Sequence, residues 1–426
     1  MDSTPLASAE IASAIQQLES SNTPNKAQSY SQLLRKILDS STPDTLAPNL
    51  IAYIESILGD TLGIVASRPL LSEFAECFKE LKNPEVKVEV GQRAFEILHP
   101  RAGSFEEQDT AIKESVAQAY QQEEDYVSAA RVLQSITLDS PQRRVSADYK
   151  AELWIRIVRC YLEEEDPTSA NGYLNRVKNI LPDVQNRETR VHFHLCQARI
   201  LDSQRQFLDA SSAYLAISLE PMVEEEERLT TLSEAIKCAV LAPAGPQRSR
   251  TLARLYKDDR ATSTEEHAIL EKIFLDRLLE PAEVKAFADK LKPHQLALTA
   301  DGSTVLDKAI LDHNLLAASR LYANIHIDAL AGLLGVDRER AERDAAKMIE
   351  QGRLAGHIDQ IEEVVFFGGE GTGEKLQAGQ SQGDTTFGSA LKKWDANVQG
   401  LAEEVERVTT MLQNEHPEFY EAHMVH

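Results

Sequence analysis

From about residue 6 to about residue 320, apolar side chains recur at spacings of three and four, and strand-like alternation is scarce. An α-helix turns once every ~3.6 residues, so this spacing gives each helix one apolar face and one wet face. One-sided helices bury their apolar faces by pairing, and the pairs bury what is left by stacking. The breakers Asn22-Thr23-Pro24, Ser41-Thr42-Pro43 and Asn83-Pro84 divide the first part into helices near 6–20, 26–39, 44–58, 67–81 and 84–98.

A degenerate repeat follows. Tyr120 precedes Glu123-Glu124-Asp125, then Ala129-Ala130 and Leu133. About 40 residues on, Tyr161 precedes Glu163-Glu164-Glu165-Asp166, then Ala170 and Leu174, and a similar step brings Arg199, Gln206, Ala210 and Tyr214. The alanines let paired helices approach, and the bulky residue fills the next groove. This is the spacing of tetratricopeptide-like helical hairpins, which stack into a solenoid with a long binding surface. Asp166-Pro167 reads as an N-cap followed by proline at the first helical position. Further helices are expected over 224–241, 246–257, 264–278 and 281–291, and from 305 to about 322 after the Asp301-Gly302 turn.

Residues 325–367 change character. Leu330, Leu333 and Leu334 line a short helix that Gly335 can end with a positive φ. Asp337 caps a second helix with the inward stripe Ala341, Ala345, Met348 and Ile349, closed by Gly352. Residues 354–358 and Val364–Phe367 read as hairpin strands, with the wing over 359–363. The order is that of a winged helix. Its apolar residues must first cover their own sheet, and the hairpin's unpaired backbone edge is then free for a partner strand. Leu354, Ile358, Val364, Val365, Phe366 and Phe367 are therefore the candidate partner contacts.

Residues 368–389, rich in Gly, Gln, Ser and Thr, read as a flexible linker. Beyond them Trp394, Val398, Leu401, Val405, Val408 and Leu412 step by 4, 3, 4, 3, 4, a heptad seam on one helix. Glu403, Glu404, Glu406 and Arg407 lie on its wet side. A narrow seam after a linker calls for a second helix, from a partner subunit in preference to this chain. The plan is a helical region at 1–95, helical repeats at 96–320, the winged helix at 321–367, a linker at 368–390 and a C-terminal bundle helix at 391–416.

Composition narrows the function classes. A net charge of −23 repels phosphate backbones and anionic lipid. Cys77, Cys160, Cys196 and Cys238 form no CxxC pair and suggest a reducing compartment. The start Met1-Asp2-Ser3-Thr4-Pro5 has neither the basic nor the apolar region of a signal peptide. Uncharged runs fall short of the roughly 18 residues a membrane span needs. No GxxxxGK[ST], GxGxxG after a strand, GxSxG or HExxH occurs.

His192-Phe193-His194 imitates the metal signature of JAMM-class isopeptidases, but Asp202 holds its serine position and Arg205 its aspartate position. Residues two apart on a helix also point about 200° away from each other and cannot share one zinc. His192 and Cys196 share a face without further ligands nearby. The acid clusters at 123–125, 163–166 and 224–227 fall at turns and helix starts, where carboxylates favour water and the helix dipole. On the second helix of the winged segment, Arg338, Arg340, Arg343 and Lys347 are balanced by Glu339, Glu342, Asp344 and Glu350, a poor groove reader. No catalytic, cofactor-binding or metal-binding residue is assigned.

Several strings carry a family likeness: Ser104-Phe105-Glu106-Glu107-Gln108, Ala244-Gly245-Pro246-Gln247-Arg248-Ser249-Arg250 and Leu255-Tyr256-Lys257-Asp258-Asp259-Arg260. With them stand Pro293-His294-Gln295, Ala300-Asp301-Gly302-Ser303, His313-Asn314-Leu315-Leu316-Ala317-Ala318-Ser319 and Gly352-Arg353-Leu354-Ala355-Gly356-His357-Ile358-Asp359-Gln360. On these the chain resembles the PCI-domain family, and within it the fourth-subunit family of the COP-nine signalosome. His326 stands where that family tends to have a better N-cap.

The resemblance implies a mainly α fold: a right-handed α-solenoid of tetratricopeptide-like hairpins, then a winged-helix (PCI) subdomain and a C-terminal helix. It implies a non-catalytic scaffold in the cytoplasm and nucleus, in a complex that removes a ubiquitin-like modifier from cullins. The partners would be other PCI and metalloprotease-fold subunits, and a cullin-RING ligase met through the N-terminal arm, with neither nucleic acid nor membrane. The catalytic zinc would belong to another subunit. The competing readings are a PCI subunit of the proteasome lid or of translation initiation factor three, and a nucleic-acid-binding winged helix.

Overall fold

The computed structural model describes residues 8–20, 26–59, 62–138, 145–298 and 302–368, with nine residues between 398 and 411. It is mostly helical, with one small antiparallel sheet. Helices α1 (Ala9–Ser20), α2 (Lys26–Ser40), α3 (Pro43–Ile57), α4 (Ile64–Glu80) and α5 (Pro84–Leu98) come first. Their starts follow the breakers: Pro43 and Pro84 sit in the first turns of α3 and α5, and Asn83 Oδ1 accepts from the Glu85 N–H at 3.1 Å. Helix α4 starts at Ile64 rather than near 67. The earlier start puts Pro69 inside the helix, whereas proline prefers the first turn. Tyr30, Tyr53, Phe74 and Phe78 form a buried ladder of rings with centroids 6.1, 6.3 and 5.4 Å apart. The apolar cluster they belong to runs from Ile11 to Val116, so packing is continuous across residue 95.

Three hairpins follow: α6 (Glu106–Gln122) with α7 (Tyr126–Gln134), α8 (Ala147–Glu163) with α9 (Pro167–Ile180), and α10 (Arg187–Ser203) with α11 (Phe207–Ser218). Their turns are built alike. Glu124, Glu165 and Arg205 take the left-handed conformation, with φ of 62°, 56° and 60°. The following N–H, of Asp125, Asp166 and Gln206, donates back to the carbonyl of Tyr120, Tyr161 and Leu201 at 3.0, 2.9 and 2.9 Å. This back-bond closes the first helix. Asp125 and Asp166 then cap the second, accepting from Ser128 N at 2.9 Å, and from Thr168 N and Ser169 N at 3.1 Å. Those bonds hold both carboxyls below their usual range. Small residues Ala129, Ala130, Ala170 and Ala210 are buried where the helices meet.

Helices α12 (Glu225–Leu241), α13 (Pro246–Tyr256), α14 (His267–Phe274) and α15 (Pro281–Ala288), a 3-10 turn at Pro293–Leu296 and α16 (Val305–Leu321) complete the helical stack. The last unit is β1 (Asn324–His326), α17 (Ile327–Leu334), α18 (Arg338–Glu350), β2 (Gly356–Asp359) and β3 (Val364–Phe367). The sheet order is β1-β3-β2, all antiparallel, with Ile325 opposite Val365 and Ile358 also opposite Val365. Gly335 and Gly352, both at φ 68°, end α17 and α18 as expected, and His326 gives α17 no side-chain cap.

Two features depart from the expected plan. Strand β1 was not anticipated, because three residues between helices carry almost no alternation. Strand β2 starts at Gly356 rather than 354. Leu354 is buried, with its N–H on the Met348 carbonyl at 3.1 Å. Gly356 lies so close to β3 that a Cβ there would stand 2.2 Å from Phe366 O.

Candidate docking surfaces

Strand β3 is the centre of the sheet. Hydrogen bonds occupy both its edges, Val364 is buried, and Val365 and Phe367 are buried in the core shared with Leu311, Leu330 and Met348. Phe366 is half-buried and stacks on His357 of β2 at 4.9 Å, while Leu354 and Ile358 pack into the same core. The expectation of a free backbone edge along Val364–Phe367 is corrected on this point. In a two-stranded hairpin β3 would have an open edge, but β1 takes it. Among the described residues, the outer side of β2 pairs with no strand. At the wing, Asp359 Oδ1 accepts from Ile361 N at 2.9 Å and Glu362 N at 3.1 Å, which leaves the Ile361 side chain 95% exposed at the tip.

A buried polar cluster lies where the winged helix meets the helical stack, and Arg353 is the residue that crosses between them. Arg248, 3% exposed, donates to the carbonyls of Ala239 at 3.1 Å and Val240 at 2.9 Å, the last turn of α12. Arg353 donates to Ala244 O at 3.1 Å and pairs with Asp312 of α16. Asn314 Oδ1 accepts from Leu279 N at 3.1 Å, and His313 Nε2 donates to Arg277 O at 2.8 Å. Burial draws the Arg248 guanidinium down to about 10, with Asp312 opposing, so it stays charged at neutral pH. Burial draws His313 down to about 4, so it is neutral there. Three of the strings that carry the family likeness supply Arg248, His313-Asn314 and Arg353, and they meet at this seam.

A second latch joins α10 to the 3-10 turn. Asp202 is 1% exposed. Both of its oxygens accept from Gln295 Nε2, at 3.0 and 2.9 Å, and His294 Nε2 lies 3.1 Å from Oδ2, off the line of a hydrogen bond. Desolvation raises its carboxyl, but the His294 and Gln295 contacts outweigh it and leave it below the usual range. Sequence reasoning had met Asp202 only as a failed metal ligand. The overlooked signal was a carboxylate one turn from Ala198, on the apolar side of α10.

The C-terminal seam is different. Val398, Leu401, Val405 and Val408 are helical and 44%, 66%, 57% and 49% exposed. Trp394 and Leu412, like the linker, lie outside the described residues.

The decoys resolve on local contacts. His192 faces Glu188 at 3.7 Å and Phe193 is buried, while His194 is exposed. Among the described residues no group of three or more His, Cys, Asp or Glu is placed to hold a metal ion. Arg338 pairs with Glu363 and Asp328, and Arg340 with Asp344, so two of the four cations on α18 are engaged. Among the described residues no helix is long and apolar enough to cross a membrane.

Two family profiles match this chain: "PSMD12/CSN4, N-terminal" over residues 10–226, and "PCI domain" over residues 270–368. The curated protein named COP9 signalosome complex subunit 4 of Emericella nidulans is 52% identical over 96% of this chain and 99% of its own length. The protein of that name in Neurospora crassa is 45% identical over 98% of this chain and 99% of its own length. The one in Arabidopsis thaliana is 39% identical over 89% and 91%.

Proposed function

Because this chain belongs to the COP9 signalosome subunit 4 family, with a C-terminal PCI domain, we propose that it is a non-catalytic scaffold subunit of a signalosome that removes a ubiquitin-like modifier from cullins. Its contribution is positional. The outer edge of β2, with Ile358 on it, takes a neighbouring strand, and the stripe from Trp394 to Leu412 enters a helical bundle. The helical repeats reach from that hub toward a cullin-RING ligase, and the chemistry belongs to a metalloprotease-fold subunit. The protein works in the cytoplasm and nucleus.

The observation that carries this reading is the bare stripe. Four large aliphatic side chains on one helical seam, each at least 44% exposed, expose apolar area to water at roughly 25 cal/mol per Å². That cost is recovered when a second helix covers them. Deleting residues 391–426 is expected to leave a folded, helical protein that no longer co-purifies with other signalosome subunits. Unchanged incorporation would refute the bundle.

The N-terminal profile also spans a PSMD12 branch. Recovery of proteasome-lid subunits in affinity purification, in place of signalosome subunits, would move the assignment there.

A further inference from the structure

We propose that the solvent face of α13 binds a short acidic peptide segment of a partner protein, with Arg250, Arg254 and Lys257 as its anchors. Residues 235–257 include no Asp or Glu, although the chain has 68 of them in 426 residues. An α-helix turns about 100° per residue, so the three cations fall within about 60° of one another and span about 10 Å of the axis. Arg248, Leu252 and Leu255 fall on the opposite side and are buried. The outer face is therefore a cationic stripe in a chain of net charge −23.

All three side chains are exposed, and none makes an ion pair or a side-chain hydrogen bond among the described residues. The elements packed against α13 are α11, α12, α14 and the 3-10 turn at Asp259–Ser263. Their carboxylates are engaged elsewhere or stand off. Asp258, at the head of the turn, holds Arg260 at 2.6 Å, and Glu234 of α12 holds Lys237 at 3.1 Å. Asp209 of α11, Glu271 of α14 and Asp259 come within ion-pairing distance of none of the three cations. Like charges at i, i+3 and i, i+4 repel one another along a helix. The helix dipole favours a cation in the last turn, which suits Arg254 and Lys257 but leaves Arg250, one turn earlier, without a role in the fold. An anion laid along the stripe removes the repulsion. Arginine forks take a carboxylate two bonds at a time, and the lysine adds a point charge.

The occupant is a short peptide rather than a nucleic acid because the stripe ends abruptly. The turn after Lys257 meets the start of α12, since Arg260 and Arg228 both donate to the Ser218 carbonyl, at 2.5 and 3.0 Å. That start carries Glu225, Glu226 and Glu227. A polyphosphate charged along its whole length runs off the stripe onto these carboxylates and is repelled. A peptide confines its carboxylates to the stripe and continues with neutral or basic residues. The inference goes beyond the assembly role, whose docking elements are β2 and the C-terminal stripe.

Fluorescence anisotropy of the full chain with labelled hexaglutamate tests it, at about 50 mM and about 150 mM salt. The wild type is expected to bind, more tightly at the lower salt. The triple variant Arg250→Gln, Arg254→Gln and Lys257→Gln is expected to bind about tenfold more weakly, with unchanged circular dichroism. Should the triple variant disturb folding, Arg254→Gln alone is expected to weaken binding about threefold. A control variant removes the same charge from three other exposed cations, Lys82→Gln, Arg131→Gln and Lys178→Gln, and is expected to bind within about twofold of the wild type. No hexaglutamate binding by the wild type at the lower salt, equal affinity in the folded stripe variant, an equal loss in the control variant, or tighter binding of an oligothymidine dodecamer would overturn the proposal.

Discussion

Two apolar runs of this chain look alike on paper and live differently. Val364-Val365-Phe366-Phe367 is a strand whose Val365 is 0% exposed, whereas Val398, Leu401, Val405 and Val408 stand at 44–66%. The first is covered by α17 and α18 of its own unit and by α16 of the helical stack. The second is covered by nothing described in this chain. Apolar periodicity states that a face wants burial; only the neighbouring elements decide whether the cover comes from the same molecule. In this chain a covered face and an uncovered one use the same residue types, and the difference is the supply of local partners.

Charge placed on each run separates them most sharply. Val365→Asp buries a carboxylate without a partner and is expected to cost about 4 kcal/mol or more, unfolding the winged helix. Far-UV circular dichroism and a thermal melt read this directly. A variant that melts like the wild type would mean β3 is not core.

The buried latch is next. Asp202→Ala leaves the Gln295 amide and His294 facing an apolar gap, with an expected loss of about 3 kcal/mol in denaturant unfolding. Asp202→Asn, which keeps an acceptor, is expected to lose about half as much. Equal losses would mean that charge, not hydrogen bonding, holds the latch.

The seam adds a pH dependence that the bare stripe lacks. His313 is held to about 4 in the folded protein, against about 6.5 when exposed. The unfolded chain therefore takes up this proton first as pH falls. The stabilisation is complete above about 6.5 and is lost between about 6.5 and about 4, by no more than about 3 kcal/mol. Asp202, also below its usual range, acts in the same direction at lower pH. Unfolding midpoints at pH 7 and pH 5 check the sign, and His313→Gln should flatten the slope.

How much of this the sequence discloses follows from the range of each interaction. Hairpin turns are local: Asp166-Pro167 fixes a cap, and the spacing of Glu124, Glu165 and Arg205 repeats because each turn closes on its own helix. The ends of α17 and α18 at Gly335 and Gly352 were legible for the same reason. Strand β1 was not, since its pairing with β3 joins residues about forty positions apart and leaves no period in three residues. Because β1 was missed, Val364–Phe367 was expected to offer an open edge together with the preceding strand. Asp202 and Gln295 are 93 positions apart, and each alone looks like an ordinary polar residue. The heptad stripe was plain, because its period is its whole content.

The smallest effect is expected at those local turns. Glu165 holds φ 56°, where a side chain costs about 1 kcal/mol or more and glycine costs little. Glu165→Gly is therefore expected to raise stability by about 0.5 kcal/mol after glycine's entropic penalty, a shift visible in a careful denaturant titration. Destabilisation would show that the Glu165 side chain contributes more than its backbone costs.

The central claim is that the stripe on the last helix is an interface kept for other subunits. Its most direct test is Leu401→Asp with Val405→Asp in the full chain, scored by thermal melting and by quantitative co-purification from the same cells. The account predicts a melting curve that overlays the wild type and loss of the other signalosome subunits from the purified material. Wild-type recovery of those subunits, or a collapse of the isolated chain's own stability, would contradict it.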